Sequence, residues 1–375
     1  MVPPGYWSAR HSSRIEDPCR VFRAAERLVG RVPPPWESPR RGRRPKFSPR
    51  SHAAVCLLRQ YFGLTLREVE GLAPGLLGTS MDHSTVGWAF KRLRPGYLSL
   101  LLALLHRELS RSVEVDFYVA DSTGISTPRL VRQKRAFAVV RVHETLKLHA
   151  LIGYSAPAGA LLVASARVTR SNVHDGTQLP HLIRGMRGGG RPLLADSAYG
   201  SEANAELLRR RGFLPVLRPH GQARRGIGTR MRMKEFWRNR RLYRRRGIAE
   251  ALFGGLANRY GSRTGSRRVR TKVVSIMLML VAHNLRTLLR LQAWEGGEVL
   301  ILWNYSTNPV NGQRPVVGRV GSLRKEERGR SSTPVKISQP ITHMRRACLI
   351  PSLILPVLNC PARMPRAMPW MSTAW

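Results

Sequence analysis

Three carboxylates in this sequence sit where a negative charge needs a reason. Val113, Val115, Phe117 and Val119 alternate along an apolar run, and Asp121 continues their face. A bare carboxylate ending such a stripe is costly. Asp121 therefore reads as a strand-end group aimed at a cleft, with Ser122, Thr123 and Gly124 as the turn beyond. A carboxylate that only caps that turn is the simpler alternative. The pattern repeats at Leu193, Leu194, Ala195 and Asp196, with a helix expected from Ser201. Glu250 differs. Tyr243, Arg246 and Glu250 are spaced by three and four residues, which places them on one face of a helix. Its simpler alternative is an ion pair with Arg246, worth a few tenths of a kcal/mol.

Three converging carboxylates repel, and one would protonate unless a cation relieved the charge. Hard oxygen donors suit Mg²⁺ or Mn²⁺, which bind few carboxylates and leave room for waters and substrate phosphates. Two such ions can serve both the attacking and the leaving oxygen of a phosphodiester. Soft-metal chemistry is not indicated: Cys19, Cys56, Cys348 and Cys360 form no CxxC pair. His149, His174 and Asp175 are read as hydrogen-bonded structural groups before they are read as ligands.

The rest of the chain must position these groups against a substrate of the right charge. Lys and Arg number 64 against 22 Asp and Glu, a net charge of +42, which selects polyanions as partners. Nucleic acid fits that field and the metal chemistry together, with an anionic membrane surface as the rival reading of the charge. Residues 1–47 are expected to form a disordered basic arm, with Arg43 and Arg44 in a Pro/Gly-rich run able to track phosphates. Residues 48–110 read as a small helical, helix-turn-helix-like domain. Ser51–Phe62 is apolar-periodic, Thr65 and Glu68 have capping-box spacing, and a third helix near Asp82 carries Trp88, Lys91 and Arg92. From 111 to 293, strands give way to alternating helices and strands, the pattern of an α/β layer fold. A single long helix is expected over Phe236–Tyr260. Residues 294–375 show no period and are expected to form a poorly ordered tail. The apolar runs Val273–Ala282 and Leu349–Leu358 are too short to span a bilayer, and no signal peptide is evident. A cytoplasmic, nucleoid-associated protein is expected.

The order Asp121, Asp196 in the run ADSAYG, and Glu250 after Tyr243 and Arg246 resembles the DDE transposases of bacterial and archaeal insertion sequences. It is the group with the Y-x2-R-x3-E signature. Leu146–His149, Asn172–Asp175 and Ala282–Leu285 are also similar to that group. The resemblance covers roughly residues 40–292. It implies an RNase H-like, mixed-sheet catalytic domain in which Asp121, Asp196 and Glu250 hold the metal ions. It further implies binding and hydrolysis of terminal inverted repeats, attack of the freed 3′-OH on target DNA, and a homodimer or larger synaptic assembly. Tyr243 and Arg246 would lie against the double-stranded DNA. The sequence departs from the signature at Ala257, where the group carries a Lys. Gly254 and Gly255 should weaken the helix by about 1 kcal/mol each relative to Ala. A metal-dependent nuclease or resolvase, an inactive transposase relic and a non-enzymatic DNA-binding protein remain open alternatives.

Overall fold

The computed structural model describes residues 16–38, 45–135, 138–219, 227–266 and 268–294. Arg43, Arg44 and the expected tail lie outside them. The first helix, α1 (Pro18–Gly30), corrects the expectation of a disordered arm. Asp17 accepts from the backbone N–H groups of Cys19 and Arg20, and Pro18 opens the first turn, where it has no intrahelical bond to lose. Between the arginines runs an apolar stripe, Val21, Phe22, Ala25, Leu28 and Val29, which buries against the next helix. The basic composition hid this stripe.

Four helices follow: α2 (Pro49–Phe62), α3 (Leu66–Leu77), α4 (His83–Arg92) and α5 (Pro95–Ser112). The capping box at the start of α3 is present. Thr65 N donates to Glu68 Oε2 at 2.6 Å and Glu68 N donates to Thr65 Oγ1 at 3.3 Å. Gly78 ends α3 at φ 67°, a left-handed turn that a side chain would strain, and Asp82 caps α4.

The sheet contains β1 (Phe117–Arg135), β2 (Ala138–Ser155), β3 (Ala160–Arg170), β4 (Pro192–Ala195) and β5 (Leu214–Leu217). Its order is β3-β2-β1-β4-β5, with β1–β2–β3 antiparallel and β1–β4–β5 parallel. Helix α6 (Leu179–Leu182) precedes β4, and α7 (Glu202–Arg210) joins β4 to β5. With its flanking helices, this mixed sheet is the RNase H-like α/β architecture expected from the sequence.

The expected continuous helix over Phe236–Tyr260 is broken. The chain forms α8 (Ile227–Arg238), α9 (Arg240–Tyr243), a 3₁₀ turn over Arg244–Gly247, and α10 (Ile248–Tyr260). The tighter winding falls between Tyr243 and Glu250, on a run of three arginines ending in Gly247.

The last helix, α11 (Val269–Trp294), packs on α2, α5 and β3. It is longer than the apolar run read from the sequence. Val269–Gln292, at mean hydropathy 1.4, is long and apolar enough to cross a membrane, which corrects that reading. Here 78% of that window is buried within the fold, as in the core helix of a globular domain. Its Ala282–Leu285 segment seals the exposed edge of the sheet. Asn284 accepts from Val163 N at 2.9 Å and donates to Val163 O at 2.8 Å, while His283 Nε2 reaches Leu161 O at 2.9 Å. Burial pushes the His283 pKa down to about 4, so the ring is neutral and donates that bond. Edge strands otherwise leave such backbone groups unpaired.

Candidate active site

Asp121 and Asp196 are brought side by side by the register of two parallel strands. Ala120 pairs with Ala195, the last partner in the β1–β4 ladder, and each aspartate is the next residue of its chain. The sequence reading ended a strand at Asp121. In the structure β1 continues, because β2 supplies antiparallel partners: Asp121 faces Ala150 and Ser122 faces His149. What ends beside Asp121 is β4. That shorter strand opens the space the carboxylate occupies.

Each aspartate is oriented by backbone. Asp121 Oδ1 accepts from Ser122 N at 2.9 Å, and Asp196 Oδ1 accepts from Ala198 N at 3.1 Å, capping the 3₁₀ turn Ser197–Tyr199. Gly200 closes that turn; a Cβ there would lie 2.6 Å from Arg218 O, so the close approach requires glycine. Asp121 Oδ2 accepts from Arg246 Nη1 at 2.9 Å. The sequence offered an Arg246–Glu250 pair instead. The turn Arg244–Gly247 carries Arg246 to the sheet, and the pair that forms is with Asp121.

Glu250 stands exposed in the first turn of α10. Burial raises the Asp121 carboxyl above the usual range, and the charges of Asp196 and Glu250 add to the rise, while Ser122 N–H and Arg246 oppose it. The charges of Asp196 and Glu250 thus reach Asp121, with burial the larger cause of its rise. Oxygen-only donors that repel one another fit a hard divalent cation. Among the described residues, the group with all ligand atoms within 4.8 Å is a different one, Glu70, Asp82 and His83, on α3 and α4. There Asp82 already caps Ser84 N at 2.7 Å, and His83 Nδ1 pairs with Glu70 Oε2 at 2.9 Å.

Other residues singled out in the sequence lie in different settings. Tyr243 packs edge-on against Phe236, with centroids 5.0 Å apart. Lys91 and Arg92 line a groove on the helical region with Trp88 and Arg270. His149 is fully buried, held by Thr169 Oγ1 at 2.8 Å and facing Asp175 at 3.1 Å, with Lys147 also 2.7 Å from Asp175. His174 accepts from Gly176 N and caps the turn Asp175–Gln178. Where the group's signature has a Lys, Ala257 is present; nearby Arg259 is committed to Glu16 at 2.8 Å.

Sequence reasoning missed Tyr199. Its side chain is fully buried, its hydroxyl has no hydrogen-bond partner among the described residues, and its pKa is driven up by burial and by Asp175, Asp121 and Asp196. The available signal was its place three residues after Asp196.

Asp121 on β1 and Asp196 just past β4 thus form a polar site at the end of β4 in the mixed sheet of an RNase H-like domain. Residues 116–285 match the transposase DDE domain family. An uncharacterized protein of Aquifex aeolicus is 25% identical over 274 residues, covering 68% of this chain and 83% of that relative.

Proposed function

We propose that this chain is a DNA transposase. It binds the terminal inverted repeats of an insertion sequence, cleaves the ends, and joins the freed 3′-OH to target DNA. The observation that carries the reading is the juxtaposition of Asp121 and Asp196 beyond the Ala120–Ala195 pair, with the charge of Glu250 also felt at Asp121. Asp121, Asp196 and Glu250 would hold Mg²⁺ or Mn²⁺, which when bound would activate the attacking oxygen and stabilise the leaving one.

The chain's own residues prepare that site. Ser122 N–H and Ala198 N–H fix one oxygen of each aspartate. Arg246 offsets negative charge at Asp121 and would also pair with a DNA phosphate. Lys91 and Arg92 belong to the DNA-contacting surface of the helical region 48–110, and Arg43 and Arg44 of the basic arm would extend it. Tyr243 supports the segment carrying Arg246. A homodimer or larger assembly acting in the cytoplasm on paired ends completes the proposal.

The test is Mg²⁺-dependent cleavage of the element's ends by wild type and Asp196→Asn. Loss of one ligand should cost several kcal/mol of transition-state stabilisation, about a thousandfold in rate or more. Equal cleavage by both proteins would sink the reading. Strand-transfer products separate a transposase from a nuclease or resolvase.

A further inference from the structure

The helical region carries an aromatic cavity of about 730 Å³, distinct from the carboxylate site. Trp36 and Trp88 form two of its walls, edge to face with centroids 5.7 Å apart. His52 closes a third side, 5.9 Å from Trp36 and 6.0 Å from Trp88. The Arg92 guanidinium lies 4.9 Å from the centre of the Trp88 ring and 5.4 Å from that of Trp36. Val86 and Ala89 already bury the inner face of α4, yet Trp88 is left 47% exposed. An adjoining groove of about 660 Å³ shares Trp36, Trp88 and Arg92 and adds the cations Lys91, Arg94 and Arg270 against one acid, Glu37. The acid on the aromatic side, Asp82, is occupied in capping α4.

We propose that the Trp36–Trp88–Arg92 cavity takes an unpaired DNA base, with Lys91, Arg94 and Arg270 holding the phosphates beside it. A base presents flat faces that stack on aromatic rings and on a guanidinium. Its backbone carries the charge that the neighbouring cations match. An apolar peptide side chain would use the rings and leave the cations idle. Paired duplex DNA would use the cations and leave Trp88 in water. Both features share one rim, and a nucleotide with its base exposed uses both. The inference rests on DNA being the partner, and it is independent of cleavage.

The experiment compares two labelled duplexes of equal phosphate count, one with a single bulged adenine and one with a bulged abasic site. Anisotropy with the full chain reads the affinity for each. Wild type should prefer the adenine bulge by at least about fivefold, the low end for one stacked base. Trp88→Ala should bring the ratio to about one, Trp88→Phe should retain it, and Lys91→Ala should weaken both duplexes alike. A wild-type ratio near one, or a ratio unchanged in Trp88→Ala, overturns the proposal. Binding to neither duplex overturns it together with the DNA reading above, so the two failures are distinguishable. Should Trp88→Ala lose its fold, a 2-aminopurine bulge decides with wild type alone. Quenching on binding supports stacking, and unchanged emission overturns it.

Discussion

Two carboxylates of this chain have opposite fates. Glu16 is surrounded by cations: Arg286 Nε at 2.7 Å, Arg259 at 2.8 Å and Arg290 at 3.6 Å. Burial alone would raise its carboxyl, but the bond and charge of Arg286, with Arg259 and Arg290, bring it below the usual range. Asp121 lies above the usual range chiefly through burial, with Asp196 and Glu250 adding to the rise and the Ser122 N–H and one arginine, Arg246, opposing it. The first arrangement is complete. Arg286, 5% exposed, also donates to Tyr260 Oη and Tyr61 O at 2.6 Å and stacks 4.0 Å from the Tyr61 ring. It clasps the start of the described chain to α2, α10 and α11. The second leaves a partly buried carboxylate whose charge one arginine opposes only in part, the kind of perturbed group that clusters at functional sites.

The largest test of this contrast is Glu16→Gln. Removing one partner of a buried pair leaves Arg286 uncompensated and should cost about 3 kcal/mol, read by urea unfolding at neutral pH. The sign with pH follows from the lowered carboxyl. Its contribution is present above the ordinary carboxylate range and is lost as pH falls through the folded value, so wild type and variant should converge in acid. Asp121 has the reverse sign. Its contribution is full below the ordinary range and declines as pH rises through the raised value, so wild type and Asp121→Asn should also be closest in acid. A Glu16→Gln protein as stable as wild type at neutral pH would break the contrast.

Mg²⁺ sharpens it at intermediate size. At ten times its dissociation constant, an ion bound only by the folded state adds about 1.4 kcal/mol. Thermal unfolding should show that gain for wild type and Glu16→Gln. It should be absent from the double variant Asp121→Asn/Asp196→Asn and reversed by EDTA. An equal gain in the double variant would place the ion elsewhere.

The smallest effect concerns the helix carrying Glu250. A Cβ at Gly254 meets nothing within 4 Å, so Gly254→Ala should stabilise by roughly 0.5–1 kcal/mol through helix propensity alone. A loss of stability would mean that α10 packs more tightly than its open surroundings indicate.

Legibility differed between these regions for physical reasons. The capping box at Thr65 and the short strand Pro192–Ala195 were readable because they depend on neighbours in sequence. Helix α1 was not, since its apolar stripe is diluted by arginines and gains meaning only against α2. The break before α10 escaped because Tyr243, Arg246 and Glu250 have helical spacing, whereas Arg246 is paired across the fold with Asp121.

The sequence by itself determined the polyanion-seeking charge, the α/β order, and an explanation owed for Asp121, Asp196 and Glu250. Apolar alternation and composition are local quantities and survive without a fold. Only the tertiary structure decided that β4 stops beside Asp121, that Arg246 pairs with that aspartate, that Tyr199 lies buried beside the acids, and that Glu16 is locked among arginines. Each depends on groups far apart in the chain, and burial and charge coupling have no value until the chain has brought them together.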